Sequence, residues 1–224
     1  MKVMKVLIFV LGMAVVLCGS TANADLMNGG FESGLTGWNS TGTVQAVPWE
    51  FSRDFLGLSQ APASGFWDPT EGSYFASLWS TDSMGTNVST LTQTFTTPTF
   101  STPAPYTLVF DYFYDFGDDF GIEDPARIYV MDSLGNSLLN MRINDPAVGT
   151  ALATDVNIDW TTVSVILPTA GTYTLGFEIS DSFGSFESYL GVDNVNVVPV
   201  PGAFLLGAIG LSYASWRLRK RRMS

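Results

Sequence analysis

Between residues 25 and 198 apolar side chains recur at every second position in short runs, and no run has the spacing of a helix. Residues 72–79, GSYFASLW, read as a strand. So do 88–98, VSTLTQTFTTP, where Leu91 and Phe95 alternate with threonines. The run 106–116, YTLVFDYFYDF, is apolar on both faces over much of its length. It predicts a central strand, buried on both sides near its start. Residues 126–143 predict a hairpin turning through 132–136. In 159–168, Val163, Val165 and Leu167 share one face. In 170–180, Tyr173, Leu175, Phe177 and Ile179 point inward, with Thr and Glu outward. These two runs predict a second hairpin over 162–180, and a last strand follows at 189–198. Gly, Pro, Asn and Asp separate the runs, and no internal repeat is evident. The pattern is that of an all-β sandwich.

Two stretches depart from it. At the N-terminus Lys2 and Lys5 precede a 12-residue apolar run, 6–17, and then Ala22-Asn23-Ala24. That order predicts a secretory signal peptide over 1–24, cut between Ala24 and Asp25; 12 apolar residues are too few for an anchor. Cys18 does not mark a lipoprotein, because Leu17 stands where a small residue is required. At the C-terminus, Val198-Pro199-Val200-Pro201 opens an uncharged run that ends at Trp216, followed by Arg217, Arg219, Lys220, Arg221 and Arg222. The uncharged residues 197–216 number 20, enough to cross a hydrocarbon core of ~30 Å at ~1.5 Å per residue. Only 15 of them follow Pro201, which is short for a span. The basic cluster is expected to stay in the cytoplasm.

The proline motif, hydrophobic segment and arginine-rich end, in that order, resemble the sorting tail of bacterial PEP-CTERM proteins. The resemblance covers 199–224 and implies export to the cell envelope, cell surface or extracellular matrix. It also implies transient membrane anchoring through a C-terminal hydrophobic helix, and processing by an exosortase-like enzyme. Val200 stands where that family often has glutamate. The competing account is a plain membrane anchor. The passenger is then a single domain over 25–198, large enough to bury a core and free of cysteine, so it folds without disulfides.

Charge separates passenger from ends. All 21 carboxylates fall between Asp25 and Asp193, against three basic residues, Arg53, Arg127 and Arg142, a net charge of −18 for that segment. Such a surface argues against nucleic acid and anionic lipid as partners. It supplies hard oxygen ligands for a cation, although a solvated acidic surface accounts for most of these groups. The chain has no histidine and the passenger no cysteine, which excludes Ser-His-Asp and Cys-His catalysis and the usual zinc sites. Paired carboxylates could still hydrolyse a glycoside, but among 21 of them nothing marks one pair. The densest acidic stretch, 115–125, lacks the EF-hand ladder, and its DFG string comes without a kinase's catalytic loop or phosphate-binding lysine; a solvated loop is expected, with a second calcium site as the alternative.

The passenger opens with LMNGGFESGLTGW, 26–38, and closes with YLGVDNVNV, 189–197. Together these resemble the two ends of galactose-binding-like jelly rolls found among carbohydrate-binding modules. The resemblance implies a jelly-roll β-sandwich and a structural calcium held by Glu32 and Asp193; the bland alternative is a turn cap and a surface charge. Between them, the irregular stretch 40–71 carries Trp49 and Trp67. Flat indole rings stack on sugar C–H faces, so both are candidates for a carbohydrate platform, unless they cover the core. The expected function is a non-enzymatic exported surface or matrix protein associated with exopolysaccharide. The alternatives are a carbohydrate-binding module with a specific glycan site and, third, a glycosidase-like enzyme.

Overall fold

A computed structural model of the chain describes residues 24–52, 65–80, 88–98, 105–116, 124–144, 157–180 and 188–199. They form two five-stranded antiparallel sheets stacked as a jelly-roll β-sandwich, the expected fold. One sheet has the order β1 (Asn39–Thr41), β6 (Val88–Thr96), β11 (Thr172–Ser180), β8 (Ala126–Asp132), β9 (Ser137–Ile143). The other has the order β10 (Ile158–Leu167), β7 (Tyr106–Asp115), β12 (Tyr189–Pro199), β5 (Phe75–Trp79), β2 (Thr43–Val47). A separate ribbon pairs β3 (Glu50–Phe51) with β4 (Phe66–Trp67).

Alternation decides which side chains meet between the sheets. Leu91 and Phe95 of β6, Ile128 and Val130 of β8, and Tyr173, Leu175, Phe177 and Ile179 of β11 point inward. From the facing sheet come Leu108 and Phe110 of β7, Val165 and Leu167 of β10, and Leu190 and Val192 of β12. Each such Leu, Val or Phe contributes about 1.5–3 kcal/mol on burial. Gln93 breaks the apolar pattern of β6 yet is buried. Its amide accepts from Met27 N (2.8 Å) and donates to the carbonyls of Met27 (2.9 Å) and Gly37 (3.1 Å), so it ties the N-terminal segment to the sheet.

Two expectations about strands are corrected. The runs 159–168 and 170–180 are strands, but they do not form a hairpin. β10 pairs with β7 in one sheet, whereas β11 lies between β6 and β8 in the other. The connection therefore crosses the sandwich. It is fastened by Thr97 N to Gly171 O (2.9 Å) and by Tyr173 Oη to Thr169 O (2.6 Å). A hairpin and a crossover put the same alternation of apolar residues inward, so the pattern alone could not separate them. The second correction concerns β7. It is a central strand, but its double burial begins at Phe110 and runs to its end, while Thr107 and Val109 near its start are only half-buried. The cover over its last residues comes from the β3–β4 ribbon.

Candidate functional site: an aromatic ribbon over an acidic sheet face

Cross-strand neighbours share a face of a sheet. The outward residues of β7, β12 and β5 therefore line up side by side: Asp111, Phe113 and Asp115; Tyr189 and Asp193; Phe75, Ser77 and Trp79. In most sandwiches such a face meets water. Here its apolar half is roofed by the ribbon, whose two strands pair Glu50 with Trp67 and Phe51 with Phe66. That register turns Glu50 and Trp67 toward the sheet and Phe51 and Phe66 away from it.

The inner side is an anchor. Trp67 lies flat on Phe113, with centroids 4.3 Å apart and planes within 4°, and its Nε1 donates to Asp115 Oδ2 at 3.0 Å. Phe75 and Trp160 close on Phe113 edge-on at 5.6 and 4.8 Å. Glu50 Oε2 accepts from Trp79 Nε1 (3.1 Å) and Ser77 Oγ (3.3 Å). The outer side is exposed. Trp49, Phe51 and Phe66 are 47%, 52% and 37% accessible. Trp49 stands nearly perpendicular to both phenyl rings, at 5.0 and 5.5 Å, and the phenyls lie 4.8 Å apart. Such ring contacts contribute about 0.5–1.5 kcal/mol each beyond burial, so the trio holds its own geometry.

Beside the ribbon, three carboxylates gather the segment that joins β4 to β5. Asp193 Oδ2 accepts from Thr70 N (2.8 Å), Glu71 N (2.9 Å) and Thr70 Oγ1 (3.1 Å). Asp111, directly opposite Asp193, accepts from Thr70 Oγ1 (2.9 Å), Asn194 Nδ2 (3.1 Å) and Thr162 Oγ1 (2.6 Å). Glu32 Oε1 accepts from Ser73 N (2.6 Å) and Tyr74 N (3.0 Å). Burial pushes the Asp193 carboxyl up, against the lowering effect of the N–H groups of Glu71 and Asn194 and the donors of Thr70.

Glu32 and Asp193, predicted from opposite ends of the β-sandwich domain, thus grip the same short segment. The groups facing them are N–H and O–H donors. The N–H groups among them offer a calcium ion no lone pair, whereas the Thr70 hydroxyl oxygen does. Among the described residues no group of three or more His, Cys, Asp or Glu could hold a metal. The opening motif has its own logic. Asn28 caps its loop by donating to Gly34 O (2.8 Å) and accepting from Ser33 N (3.1 Å). Phe31 packs on Trp38 at 5.2 Å, and Val195 N donates to Gly29 O at 3.0 Å, joining the first segment to the last strand.

Of the two predicted platform residues, Trp49 is exposed and Trp67 is not. At 1% accessibility, sandwiched between ribbon and Phe113, Trp67 presents no face to a ligand and is corrected to an anchor. Phe51 and Phe66 were missed: strands of two residues leave no periodicity, and 14 residues separate the pair in sequence. The acidic loop at 115–125 is also corrected in part. Asp115 and Asp124 are buried, and Asp124 accepts from Ser80 Oγ; 117–123 lie outside the described residues. Val198 and Pro199, expected to open a sorting motif, fall within β12. Ala24 packs on the core, and Asp25 exchanges hydrogen bonds with the backbone of Thr96 through N and Oδ1. Ala22, Val200, Pro201 and the basic residues 217–222 lie outside the described residues. Among the described residues no helix is long and apolar enough to cross a membrane.

The site and the fold together define an antiparallel β-sandwich with an aromatic ribbon on one sheet. No family model matches the chain, and no curated protein matches it in sequence. Solved structures resemble it in the layout of strands. One is the enzymatically active domain of tailspike protein 4 of bacteriophage CBA120, at 17% identity and a TM-score of 0.44, covering 80% of this chain and 21% of the phage chain. Another comes from work on the promiscuous specificity of carbohydrate-binding modules of the β-sandwich superfamily, at 16% and 0.42, covering 79% and 63%. A third is the K3 adhesin domain of Lys-gingipain from Porphyromonas gingivalis W83, at 18% and 0.41, covering 77% and 98%. The chain thus spans about a fifth of the tailspike structure and less than two thirds of the second. No function passes from these likenesses to this chain.

Proposed function

We propose that the protein is a non-enzymatic, exported surface or matrix protein that holds extracellular polysaccharide, with Trp49 in contact with the sugar. The observation that carries this reading is the exposed Trp49–Phe51–Phe66 trio, fixed on a ribbon whose other side is locked to the sheet. An apolar surface of this kind, kept in water and held rigid, is matched by the C–H face of a pyranose, which stacks on aromatic rings without needing charge. In this reading the signal peptide 1–24 and the tail 199–224 act as addresses. The tail anchors the protein in the membrane until an exosortase-like enzyme processes it.

Two measurements test the proposal. Protein recovered from cells is offered to the host's own exopolysaccharide; retention that disappears in Trp49→Ala supports it. Retention unchanged by that substitution, or no retention at all, removes it. Intact mass of the same protein reports whether each end has been cut. A full-length mass in the cytosolic fraction would sink the export reading. Release of reducing sugar from the polysaccharide would restore the glycosidase reading.

A further inference from the structure

The ribbon also restricts which glycan it can hold. We infer that the site takes single chains of an uncharged polysaccharide and rejects both polyanionic glycans and crystalline polymer faces; this rests on the polysaccharide reading above.

The first restriction comes from charge. Recognition of uronate or sulfate groups depends on basic side chains, arginine forks above all. Among the described residues only Arg127 and Arg142 are basic, and they lie on β8 and β9 of the opposite sheet. Arg127 is engaged there, 3.6 Å from Glu178 and stacked 4.7 Å over Tyr129. The ribbon's neighbours are acidic: Glu50 on the ribbon itself, Asp68 and Glu71 just after it, and Asp159 next to Trp160. Arg53, outside the described residues, is followed at once by Asp54 in the sequence. A polyanion approaching Trp49 therefore meets a field of its own sign, unscreened within about 8 Å at physiological salt.

The second restriction comes from ring geometry. A crystalline polymer surface needs several aromatic faces in one plane. Here Trp49 stands at 87° and 88° to its two neighbours, and those two are tilted by 37° to each other. Such a corner can cradle one or two sugar rings of a free chain but cannot lie flat on a surface.

Affinity gel electrophoresis of the mature protein tests this, with hydroxyethylcellulose, galactomannan and dextran as neutral chains and alginate as the polyanion. A pull-down on crystalline cellulose is run alongside. Retardation is expected in at least one neutral gel, little changed between low and high salt, and about tenfold weaker in Trp49→Ala. Alginate gels and crystalline cellulose are expected to leave the protein unretarded and unbound. Stronger retardation by alginate that salt abolishes, tight binding to crystalline cellulose, or no response to any neutral chain overturns the inference. If the host's polysaccharide still retains the protein through Trp49 in those cases, the functional reading stands and only the ligand class is wrong.

Discussion

Trp67 is the residue on which the ribbon's rigidity depends, and removing it gives the sharpest test of the site's construction. Its ring is 1% accessible, stacked at 4.3 Å on Phe113, and its Nε1 donates to Asp115 Oδ2 at 3.0 Å. Truncating a buried Trp to Ala costs about 3–5 kcal/mol through lost transfer energy and the cavity left behind. Leaving a buried acceptor without its donor costs about 1–3 kcal/mol. Trp67→Phe keeps a ring on Phe113 and loses the N–H, so it should cost about 1–3 kcal/mol and Trp67→Ala clearly more. For a domain of this size each kcal/mol lowers Tm by about 2–4 °C, so Trp67→Ala should lose roughly 6–20 °C. Thermal and urea unfolding followed by far-ultraviolet circular dichroism measures both variants. Hydrogen exchange adds a local readout, because Ser52 N donates to Gly65 O (3.0 Å) only while the ribbon is closed. The Ser52 amide should lose protection in Trp67→Ala before the β7 amides do. A loss below about 1 kcal/mol, with Ser52 still protected, would refute the idea that this indole anchors the ribbon.

Three further outcomes follow from the site. Burial raises the Asp193 carboxyl in the folded state, so its ionisation costs stability. The penalty is full above the raised folded value and vanishes below the unfolded value of about 3.9. Comparing the native protein with Asp193→Asn between about pH 7 and pH 4 cancels the general relief of acidic repulsion; the native protein should gain on the variant as pH falls, and a relative loss would contradict this. A chelator should leave Tm unchanged while Glu32→Ala and Asp193→Ala both lower it, since N–H donors occupy these carboxylates; a fall in Tm on chelation would instead establish the calcium expected from the jelly-roll resemblance. Gly29→Ala should destabilise the fold strongly in urea unfolding, because the new Cβ would overlap the Val195 carbonyl oxygen and part the first segment from β12; a change within about 0.5 kcal/mol would show that contact to be dispensable.

Much of the sandwich could be read from alternation, because one face of each long strand is buried. Tyr173, Leu175, Phe177 and Ile179 could only face a core, and they do. The pairing of strands was not legible in the same way. β10 and β11 look like a hairpin in sequence, yet their hydrogen-bond partners are β7 and β6, more than 40 residues away. Of the candidate site, Trp49 stood out as a flat ring in an irregular stretch. Whether it or Trp67 faces water depended on the register of a ribbon too short to leave a period.

By itself, then, the sequence determined an all-β domain rich in carboxylates and free of histidine, framed by two hydrophobic ends. These are consequences of side-chain chemistry and local spacing, which need no knowledge of what lies opposite. Tertiary structure alone decided the rest: which sheet each strand joins, that Glu32, Asp111 and Asp193 hold one segment, and that Trp67 points inward while Trp49, Phe51 and Phe66 point out. Those outcomes depend on backbone pairing between distant residues, and a shift of one residue in the register of β3 against β4 would exchange the ribbon's two faces.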